Sequence, residues 1–228
     1  MLPAAPSSRP KILVTGFDPF GGDPINPSSM VAARLHGRQI AGHRVVAAQL
    51  PTVFAASARR LHELLRVHRP VLVVCLGLAG GRTGISLERV AINVNDARIA
   101  DNSGAQPVDT PVAARGPAAY FSTLPIKTML QAMRDAGLPA EVSNSAGTFV
   151  CNHVFYALMH HLATTRAPGA ARGGFIHLPW LPGPARSRSA KSAVMELDAM
   201  VEAIVVGLRA AIRTAPGSDI ALAAGTSS

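Results

Sequence analysis

Two runs, KILVTGF at residues 11–17 and PVLVVCLG at residues 70–77, constrain this chain more than any other feature in it. Both are apolar at nearly every position, whereas a strand with one wet face alternates apolar and polar residues. Such runs, closed by Gly16 and Gly77, are expected as strands buried on both faces of a mostly parallel sheet. Between them, VVAAQL reads as a further strand. TVFAASARRLHELLRVH carries Val53, Ala56, Leu61, Leu64 and Leu65 at the three-to-four spacing of an amphipathic helix. Strand, helix, strand, helix is the order of an α/β fold. Downstream, PIKTMLQAMRDAG predicts a helix stopped by Gly137, EVSNS a short strand, GFIHLPW a strand, and residues 189–213 a long amphipathic helix. Residues 93–124 carry turn formers every few positions and no sustained period. A long loop in a compact domain usually shapes a site, so irregular strands and a pocket wall are expected there.

With 228 residues, 48% of them hydrophobic, the chain suits one domain better than two. The boundaries read as a disordered N-terminal tail at 1–10, a single catalytic α/β domain at 11–213, and a flexible C-terminal tail at 214–228. The formal charge of +9 invites a nucleic-acid reading, but aromatics are only 4% of the chain and no basic run is interleaved with them. Arg59, Arg60, Arg66 and Arg69 share one helix, while Arg82, Arg89, Arg98 and Arg115 are scattered, as on a solvated surface. Two cysteines make no disulfide framework, and MLPAAPSSRPK has no signal-peptide pattern, so a reduced, cytoplasmic setting is expected. The longest apolar run, VLVVCLGLAG, is half of the roughly 20 residues a membrane helix needs. No HExxH or CxxC spacing points to a metal, and no cofactor is expected.

The chemistry centres on SNSAGTFVCNHVFYALMHH, residues 143–161. Thr148 is an expected N-cap, and Val150, Val154, Ala157, Leu158 and Leu162 follow on one helical face. Cys151 then lies in the first turn, where free backbone N–H groups and the helix dipole favour a thiolate. A buried, inert cysteine is the competing reading; Cys75, in mid-strand, is read as core. A nucleophile needs a base, and His177 ends the strand GFIH, where a sheet presents residues to a site. The other histidines sit on or beside helices, and His160 and His161 project about 100° apart. Glu88, between Leu87 and Arg89, is a carboxylate in an apolar stretch and the candidate orienter of the imidazole; it also suits a salt bridge to Arg89, and Asp96 is the alternative orienter. GLAGGRTG lacks the glycine spacing and Lys of a phosphate loop, and SNSAG around Ser145 lacks the first Gly of a serine nucleophile elbow.

Taken in order, KILVTGFDPFGGDPINPS, LGLAGGRTGISLERVAINVNDARIADN, GPAAYFSTLPIK, VSNSAGTFVCNHVFYALMHH and GFIHLPWLP resemble the pyroglutamyl peptidase I (pyrrolidone carboxyl peptidase) family of cysteine exopeptidases. The likeness runs over residues 11–182. It implies a three-layer α/β/α open sandwich around a mixed, largely parallel twisted sheet, and hydrolysis of N-terminally pyroglutamylated peptides. It implies a triad of Glu88, Cys151 and His177, with Arg98 and the Cys151 backbone N–H at the oxyanion. It also implies a ring pocket of Phe17, Phe20, Asn26, Thr52, Ile99, Phe149 and Val150, and a homotetramer. Phe17 and Phe20 also suit plain core packing, and Asn26 the turn before Pro27. Leu78 and Ala100 stand where many relatives have Gln and Pro. The other classes weighed are a different hydrolase or phosphorylase on the same architecture, and a basic nucleic-acid-binding module.

Overall fold

The computed structural model describes residues 9–165, 171–183 and 193–225. A seven-stranded sheet runs in the order β2 (Gln39–Ile40), β3 (His43–Leu50), β1 (Lys11–Phe17), β4 (Leu72–Leu78), β9 (Arg172–Leu178), β5 (Ile85–Glu88) and β8 (Ala140–Ser143). The central pairs β3–β1–β4–β9 are parallel, β5 runs antiparallel to β9, β8 runs parallel to β5, and β2 is an antiparallel edge. The two apolar runs are therefore neighbours at the centre, and every residue of β4 is buried.

Alternation along these strands divides the interior into two cores. Ile12, Val14, Val74 and Leu76 face α1 (Pro27–Leu35), α3 (Ile126–Asp135) and α5 (Leu197–Arg213). Leu13, Val73, Cys75 and Phe175 face α2 (Phe54–His68) and α4 (Val150–Thr164). Helices on both faces of one sheet make the three-layer sandwich expected. Two close approaches need glycine: a Cβ on Gly16 would lie 2.2 Å from the Ser28 carbonyl of α1, and one on Gly207 of α5 would lie 2.5 Å from Met133 of α3.

The segment without periodicity holds a small antiparallel ribbon, β6 (Val90–Ile92) with β7 (Ala119–Phe121), and an Asn95–Thr110 bridge. Side chains hold the rest of it. Asp101 Oδ1 accepts from Ser103 and Ala105 N–H groups while its Oδ2 accepts from Phe54 N. Asn152 clamps the Ile92 and Val94 backbone. No helix among the described residues is long and apolar enough to cross a membrane.

Two expectations differ from what is found. The last helix begins at Leu197; residues 193–196 precede it with Val194 bridging Trp180, and positions 184–192 lie outside the described residues, as do 1–8 of the N-terminal tail. The C-terminal segment, expected to be a loose tail, is docked as far as Ala224. Leu222 and Ala224 pack on the first core, and the Ala224 carbonyl accepts from Arg89 and Lys127. The docked segment also serves α3, which has no side-chain cap of its own. Asp219 supplies it from the C-terminal segment, accepting from Lys127 N at 2.9 Å and from Thr128 N and Oγ1 at 2.8 and 2.7 Å. Replacing Asp219 by Ala should lower stability by about 1 kcal/mol, the usual worth of an N-cap, in a denaturant titration; an unchanged midpoint would mean that the docked segment leaves α3 no firmer.

Candidate active site

The helix that carries Cys151 starts without help from any side chain. Its N-cap is Phe149, in extended backbone with no side-chain cap bond. Thr148, the expected cap, is used otherwise: its Oγ1 donates to the Asp96 carbonyl at 2.7 Å, and its own carbonyl accepts from Asp96 N at 3.0 Å. Gly147, at φ 75°, turns the chain into this position. The first N–H groups of α4 are thus free of side-chain competitors, and Cys151 is its second residue, half-buried.

Sheet register brings the other two candidates to the same place. His177 is opposite Gly77 on β4 and opposite Ser86 on β5. Glu88, two residues beyond Ser86, therefore shares its face and reaches the imidazole diagonally. Its Oε1 lies 2.7 Å from His177 Nδ1, with both side chains buried. On the β4 side, a Cβ on Gly77 would lie 2.9 Å from Cys151 Sγ and 2.7 Å from Phe175. The absent side chain at residue 77 is what lets the sulfur settle against the strand beside His177.

Burial alone would hold the His177 ring neutral. The Cys151 sulfur facing it and the Glu88 carboxylate behind it favour the protonated ring and win, pushing its pKa from 6.5 up to about 9. Glu88 has a second cation nearby, Arg82, whose Nη2 is 3.7 Å from the same Oε1. The expected Arg89 is not that partner; it donates to the Ala224 carbonyl. Asp96, the alternative orienter, lies exposed in the loop beside Thr148. Cys75 is core as read: burial pushes its thiol up to about 12. His153, also buried, meets Asn95 Oδ1 at 2.9 Å and is lowered to about 4 by burial, with His62 adding to the effect.

The expected pocket residues fall into four groups. Phe20, Phe149, Phe54 and His153 form one chain of aromatic contacts, at 6.2, 5.4 and 5.5 Å between ring centroids. Phe17, by contrast, is 2% exposed and packs on Phe175, which in turn touches His177 at 4.9 Å, so it backs the site from within the core; Val150 is likewise fully buried. Asn26 and Thr52 are committed to backbone. Asn26 caps α1 through Ser28 and donates to the Asp18 carbonyl, which Thr52 Oγ1 also reaches. Arg98 and Ile99 are exposed, and Arg98 has no hydrogen-bonding or ionic partner among the described residues. Two wide surface grooves, about 950 and 670 Å³, are lined by neither Cys151 nor His177. Among the described residues, no three His, Cys, Asp or Glu side chains are grouped to hold a metal ion.

The model of the pyroglutamyl peptidase family matches residues 10–214. The chain belongs to that family. It is 55% identical over 209 residues to the pyrrolidone-carboxylate peptidase of Cupriavidus pinatubonensis, covering 92% of this chain and 94% of that one. The crystal structure of pyroglutamyl peptidase I from Bacillus amyloliquefaciens superposes with a TM-score of 0.89 at 42% identity, covering 95% of this chain and 100% of that one. A mutant pyrrolidone carboxyl peptidase from Pyrococcus furiosus does so at 0.82 and 39%, covering 89% and 98%.

For a member of the pyroglutamyl peptidase family, four contributors at this site escaped sequence reasoning: Gly77, Arg82, Phe175 and Asn152. Gly77 was visible only as the end of a strand, and Phe175 only as strand filler; the signal that distinguishes them is their two-residue offset from His177 and Cys75, which needs the register. Gly77→Ala should leave the fold in place yet push the sulfur aside, slowing alkylation of Cys151 by iodoacetamide roughly tenfold or more; an unchanged rate would show that residue 77 does not set the position of the sulfur. Because the folded state holds the His177 proton to about 9 against 6.5, this group's stabilisation is complete below pH 6.5 and is lost as pH rises through 9. Thermal melts over that window should show a decline with pH that His177→Gln lacks, and equal slopes would rule out the raised value.

Proposed function

We propose that this chain is a cysteine exopeptidase that hydrolyses an N-terminal pyroglutamyl (5-oxoprolyl) residue from peptides. Cys151 acts as nucleophile, His177 as base and then acid, and Glu88 as the group that orients the imidazole. The observation that carries the reading is the buried 2.7 Å contact of His177 Nδ1 with Glu88, made on the sheet face where Gly77 admits the Cys151 sulfur. A Glu88 acceptor at Nδ1 leaves Nε2 to exchange the reacting proton.

In this reading His177 holds the proton of the Cys151 thiol. The thiolate attacks the pyroglutamyl carbonyl, forming a C–S bond, and the carbonyl electrons move onto oxygen. As the tetrahedral intermediate collapses, the amide C–N bond breaks and His177 gives the proton to the leaving amine. A water, deprotonated by His177, then attacks the thioester, releases pyroglutamate and returns the proton to the site. The Cys151 N–H at the uncapped start of α4 and the unpartnered guanidinium of Arg98 are the oxyanion donors. Phe20, Phe149, Ile99 and Thr52 contact the lactam, with Phe17, Asn26 and Val150 holding the pocket in shape. A flat, uncharged lactam suits such walls, whereas an N-terminal ammonium would lose its water there without a counterion. The catalytic unit is residues 11–213 as one domain, working as a cytoplasmic homotetramer on pyroglutamylated peptides.

The test is release of a fluorescent amine from its pyroglutamyl amide, with the prolyl amide as control. Wild type should cleave only the former, and Cys151→Ser and Cys151→Ala should fall below about 10⁻³ of its rate. Absence of turnover by folded, reduced wild type would sink the activity, and turnover surviving in Cys151→Ala would sink the assignment of the nucleophile.

A further inference from the structure

Glu88 is more than the third member of a triad, because it is also one end of a short polar bridge. Its carboxylate has no exposed surface, and its Oε2 has no hydrogen-bond partner. Arg82 reaches it from the turn between β4 and β5 and touches three further groups. Nη1 donates to Glu141 Oε1 at 3.3 Å, and Nη2 donates to Ser143 Oγ at 3.0 Å and to the Ser145 carbonyl at 3.3 Å. Ser143 ends β8 and Ser145 lies in the segment that leads into α4, and Ser143 Oγ also donates to the Ser145 carbonyl. Glu141 is held in turn by Ser86 Oγ at 2.8 Å. One guanidinium therefore joins the carboxylate behind His177 to the turn that delivers Cys151.

We propose that Arg82 is a positioning residue for the reaction, setting the Glu88 carboxylate on His177 and fixing the approach of the nucleophile helix at the same time. This rests on the proposed function. The need for it follows from the proton's path. When His177 has given its proton to the leaving amine, Glu88 loses its cationic neighbour while still buried, and an uncompensated buried carboxylate is costly. Arg82 keeps a cation 3.7 Å from Oε1 through that interval, so the carboxylate stays where the next proton transfer needs it. The planar fork matters as much as the charge, since two nitrogens serve three hydrogen-bond acceptors while one of them also faces the Glu88 carboxylate.

The charged and titratable groups that face His177 among the described residues are Glu88 from β5 and Cys151 from α4, with Arg82 of the β4–β5 turn against the same Glu88 oxygen. Glu141 on β8 acts through Arg82, and Cys75 on β4 is neutral. Removing the Arg82 charge should therefore bind the imidazolium proton more tightly. For Arg82→Gln, kcat should fall roughly 10- to 100-fold with KM within about twofold, and the alkaline limb of kcat/KM should move to higher pH. Arg82→Lys should keep the limb in place and lose part of kcat, and Glu141→Gln, which frees one nitrogen, should lose less. If Arg82→Gln does not fold, the lysine and glutamine variants carry the test, with the pH dependence of Cys151 alkylation as a readout without substrate. Wild-type kcat and an unmoved limb in the folded variants, a limb that moves down, or a rise in KM alone would overturn the inference. Failure of wild type to turn over the amide would instead overturn the proposed function, so the two failures are distinct.

Discussion

A carboxylate sealed from water is the constraint on which the site is built. Glu88 ends a strand whose four residues are all buried, and an isolated charge there carries a penalty of several kcal/mol, comparable with the roughly 5–15 kcal/mol that holds a whole domain folded. The chain meets that penalty with His177 and Arg82. His177 is brought to one oxygen by the antiparallel β5–β9 pairing, and Arg82 to the same oxygen by the turn before β5. Were β5 parallel to β9, like the central strands, the turn carrying Arg82 would enter the sheet from the other end. The reversal at β9–β5 in a mostly parallel sheet thus places His177, Glu88 and a compensating Arg82 together.

Period-two alternation then sorts chemistry from packing. Cys75, Gly77, Phe175, His177, Ser86 and Glu88 share the face toward α2 and α4, while Leu76, Ile176, Ile85 and Leu87 face the other core. The two cysteines show how differently that face can hold a thiol. Cys75 lies in mid-strand with no exposure, and burial keeps its thiol neutral to about 12. Cys151 meets the same strand two residues further on, at Gly77, but from the start of a helix whose first N–H groups have no side-chain cap. Backbone donors and a partly open position, rather than the thiol itself, make the difference.

What could be read in the sequence follows from where each determinant lies. Strands β1, β3, β4 and β9 and helices α2 and α3 announce themselves because hydrophobic period is local. Cys151 and His177 are legible because each sits where an element begins or ends. So is Glu88, a carboxylate in an apolar stretch, but the cation beside it is not. Arg89, adjacent to Glu88, projects away from its neighbour and finds Ala224, while Arg82 returns from six residues upstream. Thr148 has the chemistry of an N-cap, but a loop fifty residues away claims it and the helix starts one residue later. Asp219 caps α3 from 92 residues away. Capping preference is local, but possession of the cap is decided by whichever backbone comes closest.

The least periodic stretch illustrates a second kind of invisibility. Residues 93–112 are held by amide and carboxylate side chains instead of an apolar face: Asn93 and Asn95 across the loop, Asp101 onto α2, Asn102 onto the Pro19 carbonyl, and Asn152 from α4. These groups also govern what a pocket beside Phe20, Phe54 and Phe149 offers a ligand. Asp101 spends both oxygens on backbone N–H groups, Asp18 accepts from Thr52 N, and His153 is kept neutral down to about pH 4 by burial. Acidic residues lie close by, yet they are occupied with holding the wall, and the one imidazole in it carries no charge at neutral pH. Under the proposed reading, selectivity for an uncharged lactam over an ammonium arises from this commitment: backbone N–H groups of the loop and of the entry to α2 use the counterions that a charged N-terminus would need.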